Sequence, residues 1–135
     1  MKNGDVFICL ERAAQNMAYQ EMTKDEKQWT SLCDIKGEDL LGLPLKAPMC
    51  PHERVYSLPM MSISAEKATG IVTSVPSDAP DDFAALRDLK NKPELREKFG
   101  ITEEMVNFDP IPILDIPGIG DLCAVTICEE MKIKS

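Results

Sequence analysis

TGIVTSVPSDAPDDFAALRDLK, the stretch from Thr69 to Lys90, decides how the rest of the chain is read. Gly70 to Val75 is a short apolar and β-branched run, closed by Gly70 on one side and Pro76 on the other, which predicts a buried strand. Pro76, Ser77, Asp78 and Ala79 are turn chemistry. A residue before proline avoids the α region, so Ala79 is the boundary and Pro80 the first position of a helix. Phe83, Leu86 and Leu89 recur at helical spacing with Arg87, Asp88 and Lys90 on the other faces, so that helix packs by one side. Asp81 and Asp82 fall in its first turn, where exposed amides and the helix dipole stabilise each anion by roughly 0.3–1 kcal/mol. Two readings follow. Either the acids only cap and polarise the helix, or one carboxylate points into a pocket and fixes a cationic group, since a charge-assisted bond to an ammonium is about twice as strong as a neutral one. Spacing does not choose between them.

Upstream, Lys2-Asn3-Gly4-Asp5 reads as a hairpin turn and Val6 to Leu10 as the strand leaving it, with the hairpin's first strand absent. Leu10, Ala13, Ala14, Met17 and Ala18 give a helical apolar face. Met22 to Asp34 is polar and irregular, a surface loop whose Trp29 is expected to fold onto the core. Gly37 to Leu43 suggests a turn of helix ending at Gly42, then a strand edge at Pro44 to Ala47, a turn at Pro48 to Pro51, and a strand at Val55 to Met60. Downstream, Pro93 to Phe99 predicts a short helix stopped by Gly100, and Thr102-Glu103-Glu104 another helix start. The prolines at 110, 112 and 117 confine Ile111 to Ile116 to an edge strand. Gly118-Ile119-Gly120 is a turn and not a phosphate loop, because no lysine or third glycine follows in register. In Ala124 to Cys128 helix and strand are not separable. The pattern as a whole implies a mixed α/β domain with a substantial β component.

The chain has 135 residues, 44% of them hydrophobic, which is enough for one domain with a single core. Its formal charge of −8 argues against a free-standing nucleic-acid binder, because phosphate contacts need clustered Lys and Arg. No apolar stretch approaches the ~20 residues of a membrane span, and the N-terminus lacks a signal peptide's apolar core, so a soluble, unexported protein is expected. The five cysteines, at 9, 33, 50, 123 and 128, share no disulfide or zinc spacing, which suggests reduced thiols in a cytosolic compartment. Cys50 and His52 are two potential metal ligands without a second pair, so no metal site is expected. His52 is the one histidine, and its proline-rich surroundings suggest an exposed turn and no Ser-His-Asp or Cys-His catalysis.

The string ATGIVTSVPSDAPDDFAALRDLK, with YSLPM before it and PIPILDIPGIGDLCAVTICEEMKIKS after it, closely resembles the editing insertion of cytosolic, eukaryotic-type and archaeal-type leucyl-tRNA synthetases. The likeness runs from GDVFICLERAAQNMAYQ to the last residue. It implies a single editing domain of a class I synthetase over residues 1–135, with a β-barrel-like core and short peripheral helices. In the family this insertion hydrolyses wrongly charged tRNA, and the second aspartate of its Pro-Asp-Asp, here Asp82, matches the residue that binds the substrate's α-ammonium. The positions matching Thr73 and Val75 lie on the family's pocket wall, and Asp81 and Asp78 are weaker candidates, since capping explains them adequately. Where the family usually has Gly-Thr-Gly, this chain has Ala68-Thr69-Gly70. The family's threonine-rich segment, which lines the other wall, lies upstream of Met1, so a truncated piece of a longer protein is expected.

The activity so implied is hydrolysis of the ester joining a wrong amino acid to the 3′ end of leucine tRNA, with the tRNA presented by the rest of a cytoplasmic synthetase. Neither DNA nor a membrane is expected as a partner. The resemblance implies no cofactor in this domain, ATP and magnesium belonging to the parent enzyme's synthetic site. Two alternatives stand beside it: a free-standing deacylase acting in trans, and a catalytically inert scaffold or interaction module.

Overall fold

The computed structural model describes residues 1–66 and 68–133, so Lys134 and Ser135 of the expected C-terminal segment lie outside the described residues. The regular elements are mostly short helices: α1 (Glu11–Tyr19), a 3₁₀ turn (Gly37–Leu40), α2 (Pro80–Asn91), α3 (Pro93–Lys98), α4 (Glu103–Val106) and α5 (Cys123–Glu130). Two strands, β1 (Pro44–Leu45) and β2 (Val55–Tyr56), pair antiparallel with Pro44 opposite Tyr56 and Leu45 opposite Val55. The chain divides into two compact units, one formed by Met1–Asp34 with Ser62–Thr73, the other by Ile35–Met61 with the described residues from Ser74 onward.

In the first unit α1 follows the predicted periodicity. Ala13 and Ala18 are buried, and Leu10, Ala14 and Met17 are half-buried on the same face. The helix ends on Glu21, whose φ of 59° is left-handed, and the amides of Gln20, Glu21 and Met22 bond back to the carbonyls of Asn16, Ala18 and Met17. These bonds satisfy last-turn carbonyls that would otherwise lack partners. The Leu10 amide, at the start of α1, donates to the Thr69 carbonyl at 2.9 Å. Beside it Gly70 has φ +84°, and a Cβ there would lie 2.8 Å from Leu10 Cγ, so this is a position only glycine fits. Ala68, which stands where the resembling family has glycine, takes a left-handed φ of 54°.

In the second unit α2 is the hub. Leu86 and Leu89 are buried with Ile101 and Val106, and Leu41, Leu58, Leu95, Phe99, Met105 and Phe108 pack around them. Each such aliphatic side chain contributes about 1.5–3 kcal/mol when fully removed from water. Pro80 opens α2 and Ala79 precedes it in an extended conformation, as the pre-proline rule predicts. At the other end the Arg96 guanidinium donates to the Leu89 and Lys90 carbonyls, both at 2.8 Å, and so caps α2 from α3. Gly100, with φ +65°, stops α3 as expected. The ambiguous run 124–128 is helical, and α5 buries Cys123, Ala124 and Cys128.

Several strand expectations do not hold. Gly70 to Val75 forms no ladder, and Ile71, Val72, Thr73 and Ser74 are exposed. Val6 to Leu10 likewise forms no ladder, with Val6 68% exposed. Of Ile111 to Ile116 only Ile116 makes a bridge, to Gly120, around the Pro117-Gly118 turn. The reason is common to all three: β-branched composition describes fitness for a pleated, half-buried surface, and a run without a lateral partner does not become a strand. Among the described residues the one sheet is the two-stranded β1–β2 pair, so the β-barrel-like core is corrected to an open, mixed helix and strand arrangement. Trp29 is 38% exposed.

Candidate functional site

The corner that leads into α2 is built from one peptide. The Val75 carbonyl accepts from the amides of Asp78 at 3.1 Å and Ala79 at 2.9 Å, which closes the turn. The Val75 amide donates to Asp82 Oδ2 at 2.7 Å. Asp82 is the third residue of α2 and half-buried, so its carboxylate reaches back over the turn as a capping acid does. Held in this way by one oxygen, it retains a second acceptor, Oδ1, for a donor from outside the turn.

The same turn is fastened to α5. The Ala124 amide donates to the Ser77 carbonyl at 3.0 Å, and Ser77 Oγ donates to Asp78 Oδ2 at 2.5 Å. Cys123 Sγ lies 3.6 Å from Asp78 Oδ1 and 3.8 Å from the Ser77 carbonyl. Burial, and then the hydrogen bond and charge of Asp78, push the Cys123 thiol above its ordinary value. It is therefore a neutral donor here and not an activated nucleophile.

The other sequence-predicted residues are placed as follows. Asp81 is exposed in the first turn of α2, one position from Asp82. Val75 is half-buried, and its observed part in the corner is played by its main chain. Thr73 is exposed and closes the first unit, while Val75 and Asp82 belong to the second. The alternation that would give Thr73 and Val75 one face presupposes a strand that is not formed. Two hollows on the second unit, of about 360 and 170 Å³, are lined by Glu53, Arg54, Tyr56 and Glu104, and by Lys90, Glu103, Val106 and Asn107; neither includes Asp82. His52 is half-buried, its ring 5.9 Å from that of Phe108. Among the described residues no group of three or more His, Cys, Asp or Glu is arranged to hold a metal ion. Sequence reasoning did not find the Ser77, Asp78 and Cys123 cluster. Ser77-Asp78 looked like turn composition, and Cys123 carried no signal within an apolar run.

No known family model matches the chain. The cytoplasmic leucine-tRNA ligase of Pongo abelii is 54% identical over 98% of this chain, and that of Dictyostelium discoideum is 50% identical over 100% of it. The solved editing domain of the P. falciparum cytosolic leucyl-tRNA synthetase matches 94% of this chain with a TM-score of 0.87 at 33% identity. The chain spans 11% and 13% of the two ligases and 42% of that editing domain. At these identities and this backbone agreement, the chain belongs to the leucyl-tRNA synthetase family, in the region that the solved relatives carry as their editing domain.

Proposed function

We propose that this chain is part of a post-transfer editing site of a cytoplasmic leucine-tRNA ligase, which hydrolyses the ester of mischarged leucine tRNA. The observation that carries the reading is the Asp82 carboxylate, oriented at 2.7 Å by the Val75 amide, in a chain that matches solved editing domains almost end to end. A site that binds leucine discriminates against amino acids of similar size by only the ~1–3 kcal/mol that a methylene is worth, and a second, hydrolytic site removes the misfits. In this reading Asp82 Oδ1 takes the substrate's α-ammonium. That contact fixes the ester against a water, and orientation of this kind supplies much of the rate without an acyl-enzyme nucleophile. Val75 shapes the wall that judges the side chain, and Asp81 adds negative charge nearby.

The finer assignments follow from the same reading. Residues 1–135 are one portion of the editing domain, the chain covering 42% of the solved editing domain it matches. A chain of charge −8 is a poor partner for phosphates by itself, so the rest of the synthetase presents the tRNA 3′ end. ATP and magnesium serve the synthetic site and have no assigned place here.

The test is Asp82→Ala in the intact synthetase. Deacylation of isoleucyl or norvalyl esters of leucine tRNA is expected to be lost while leucine activation persists. Equal loss of both activities indicates misfolding, and unchanged deacylation refutes the assignment.

A further inference from the structure

The orientation of Asp82 is only as good as the turn that carries its donor. Val75 supplies that donor, and the turn from Val75 to Ala79 is short and strongly bent by its two internal bonds. The turn is also attached to the start of α5, 46 residues later in the chain: the Ala124 amide donates to the Ser77 carbonyl, and the Cys123 thiol faces both Ser77 and Asp78. Ser77 is 1% exposed, so its hydroxyl is spent inside this cluster on Asp78 Oδ2. Both oxygens of Asp78 therefore face donors, one a hydroxyl and the other a thiol. From the packing side, Cys128 Sγ lies 3.5 Å from the Pro80 carbonyl, so α5 also touches the first residue of α2.

We propose that Asp78, with Ser77 and Cys123, is a clamp that positions Asp82 for editing, by locking the Val75–Ala79 turn against the N-terminus of α5. This rests on the editing reading given above. Asp78 is a positioning residue and touches no substrate. Its carboxylate bridges a donor on its own turn and a donor on α5, and so fixes where the Val75 amide stands relative to the Asp82 carboxylate. A misplacement of about 1 Å in such an orienting group costs up to ~10²-fold in rate. The same displacement changes affinity little, because the tRNA is held mainly by surfaces elsewhere in the synthetase. A clamp and a merely structural acid thus differ in how kcat and KM respond.

The experiment compares Asp78→Ala, Asp78→Asn, Cys123→Ala and Asp82→Ala in the intact synthetase. It reads kcat and KM for deacylation of mischarged leucine tRNA, leucine activation, and the fraction folded. Asp78→Ala is expected to lower deacylation kcat by about tenfold or more, with KM and leucine activation nearly unchanged. Asp78→Asn, which retains an oxygen acceptor and gains an amide donor, is expected to restore most of kcat. Cys123→Ala keeps the carboxylate and loses one donor, and its kcat is expected to fall between the two. If Asp78→Ala does not fold, Cys123→Ala carries the same test. An unchanged kcat per folded enzyme in Asp78→Ala or Cys123→Ala, beside lost deacylation in Asp82→Ala, overturns the clamp alone. Unchanged deacylation in Asp82→Ala overturns the editing reading and the clamp with it.

Discussion

Ala68 and Gly70 show how much a single Cβ decides. Both adopt left-handed backbone, at φ 54° and φ +84°, but only Gly70 faces an obstruction, the Leu10 side chain 2.8 Å from where a Cβ would stand. A non-glycine residue in this region carries roughly 1–2 kcal/mol of strain. Ala68→Gly is therefore expected to stabilise the chain by a net ~1 kcal/mol, the gain being reduced by the extra freedom of glycine when unfolded. Gly70→Ala is expected to destabilise it by more than that, since strain and the clash with Leu10 add. Urea unfolding midpoints of the two variants check both signs. The Ala68-Thr69-Gly70 departure from the resembling family's Gly-Thr-Gly was legible in the sequence, but its cost was not, because a dihedral angle is a property of the folded turn.

Among the elements, α2 was legible to the residue at its start, because proline fixes the first helical position and excludes the residue before it. What satisfies its far end was not legible. The Arg96 guanidinium, on a side chain only 11% exposed, bonds the Leu89 and Lys90 carbonyls, a pairing that no spacing rule announces. Arg96→Ala is expected to cost about 1.5–3 kcal/mol, the scale of hydrogen bonds to a charged group, with a matching fall in the thermal midpoint. α5 is the converse case. Its apolar run fitted either helix or strand, and in the fold it is a helix whose Ala124 amide is satisfied by the Ser77 carbonyl. Its first residue also gives stability a pH dependence. The folded-state Cys123 thiol holds its proton above the ordinary value of 9.0, so above that pH the unfolded chain deprotonates first. This contribution is fully present below about pH 9 and is lost as pH rises through the raised folded-state value. Unfolding midpoints at about pH 8 and about pH 10 are expected to fall less in Cys123→Ala than in the parent.

At the scale of the whole molecule, helices were read better than strands for a physical reason. A helix closes its hydrogen bonds within one segment, so Pro80, Pro93 and the periodic leucines suffice to announce it. A strand needs a partner that composition does not name. Gly70 to Val75 and Val6 to Leu10 carry strand composition and form no ladder, while Pro44–Leu45 and Val55–Tyr56 pair because the intervening turn brings them together. The site divides in the same way. Asp82 was legible as an acid in a first helical turn, and its part as an ammonium ligand is what the resemblance implies; the Val75 amide that holds it was not legible.

The central claim is that Asp82 acts through its charge on a substrate and not only as a helix cap, and one substitution separates the two. Asp82→Asn keeps an oxygen that accepts from the Val75 amide, so the turn and α2 are preserved, while the negative charge is removed. Deacylation of mischarged leucine tRNA by the intact synthetase carrying Asp82→Asn, measured beside its thermal midpoint, is the direct test. The editing assignment predicts deacylation lowered at least tenfold, on the order of the ~1.5–3 kcal/mol that a charged hydrogen bond supplies, with the midpoint nearly unchanged. Deacylation at the parent rate in a folded Asp82→Asn enzyme would contradict it and leave Asp82 as a cap.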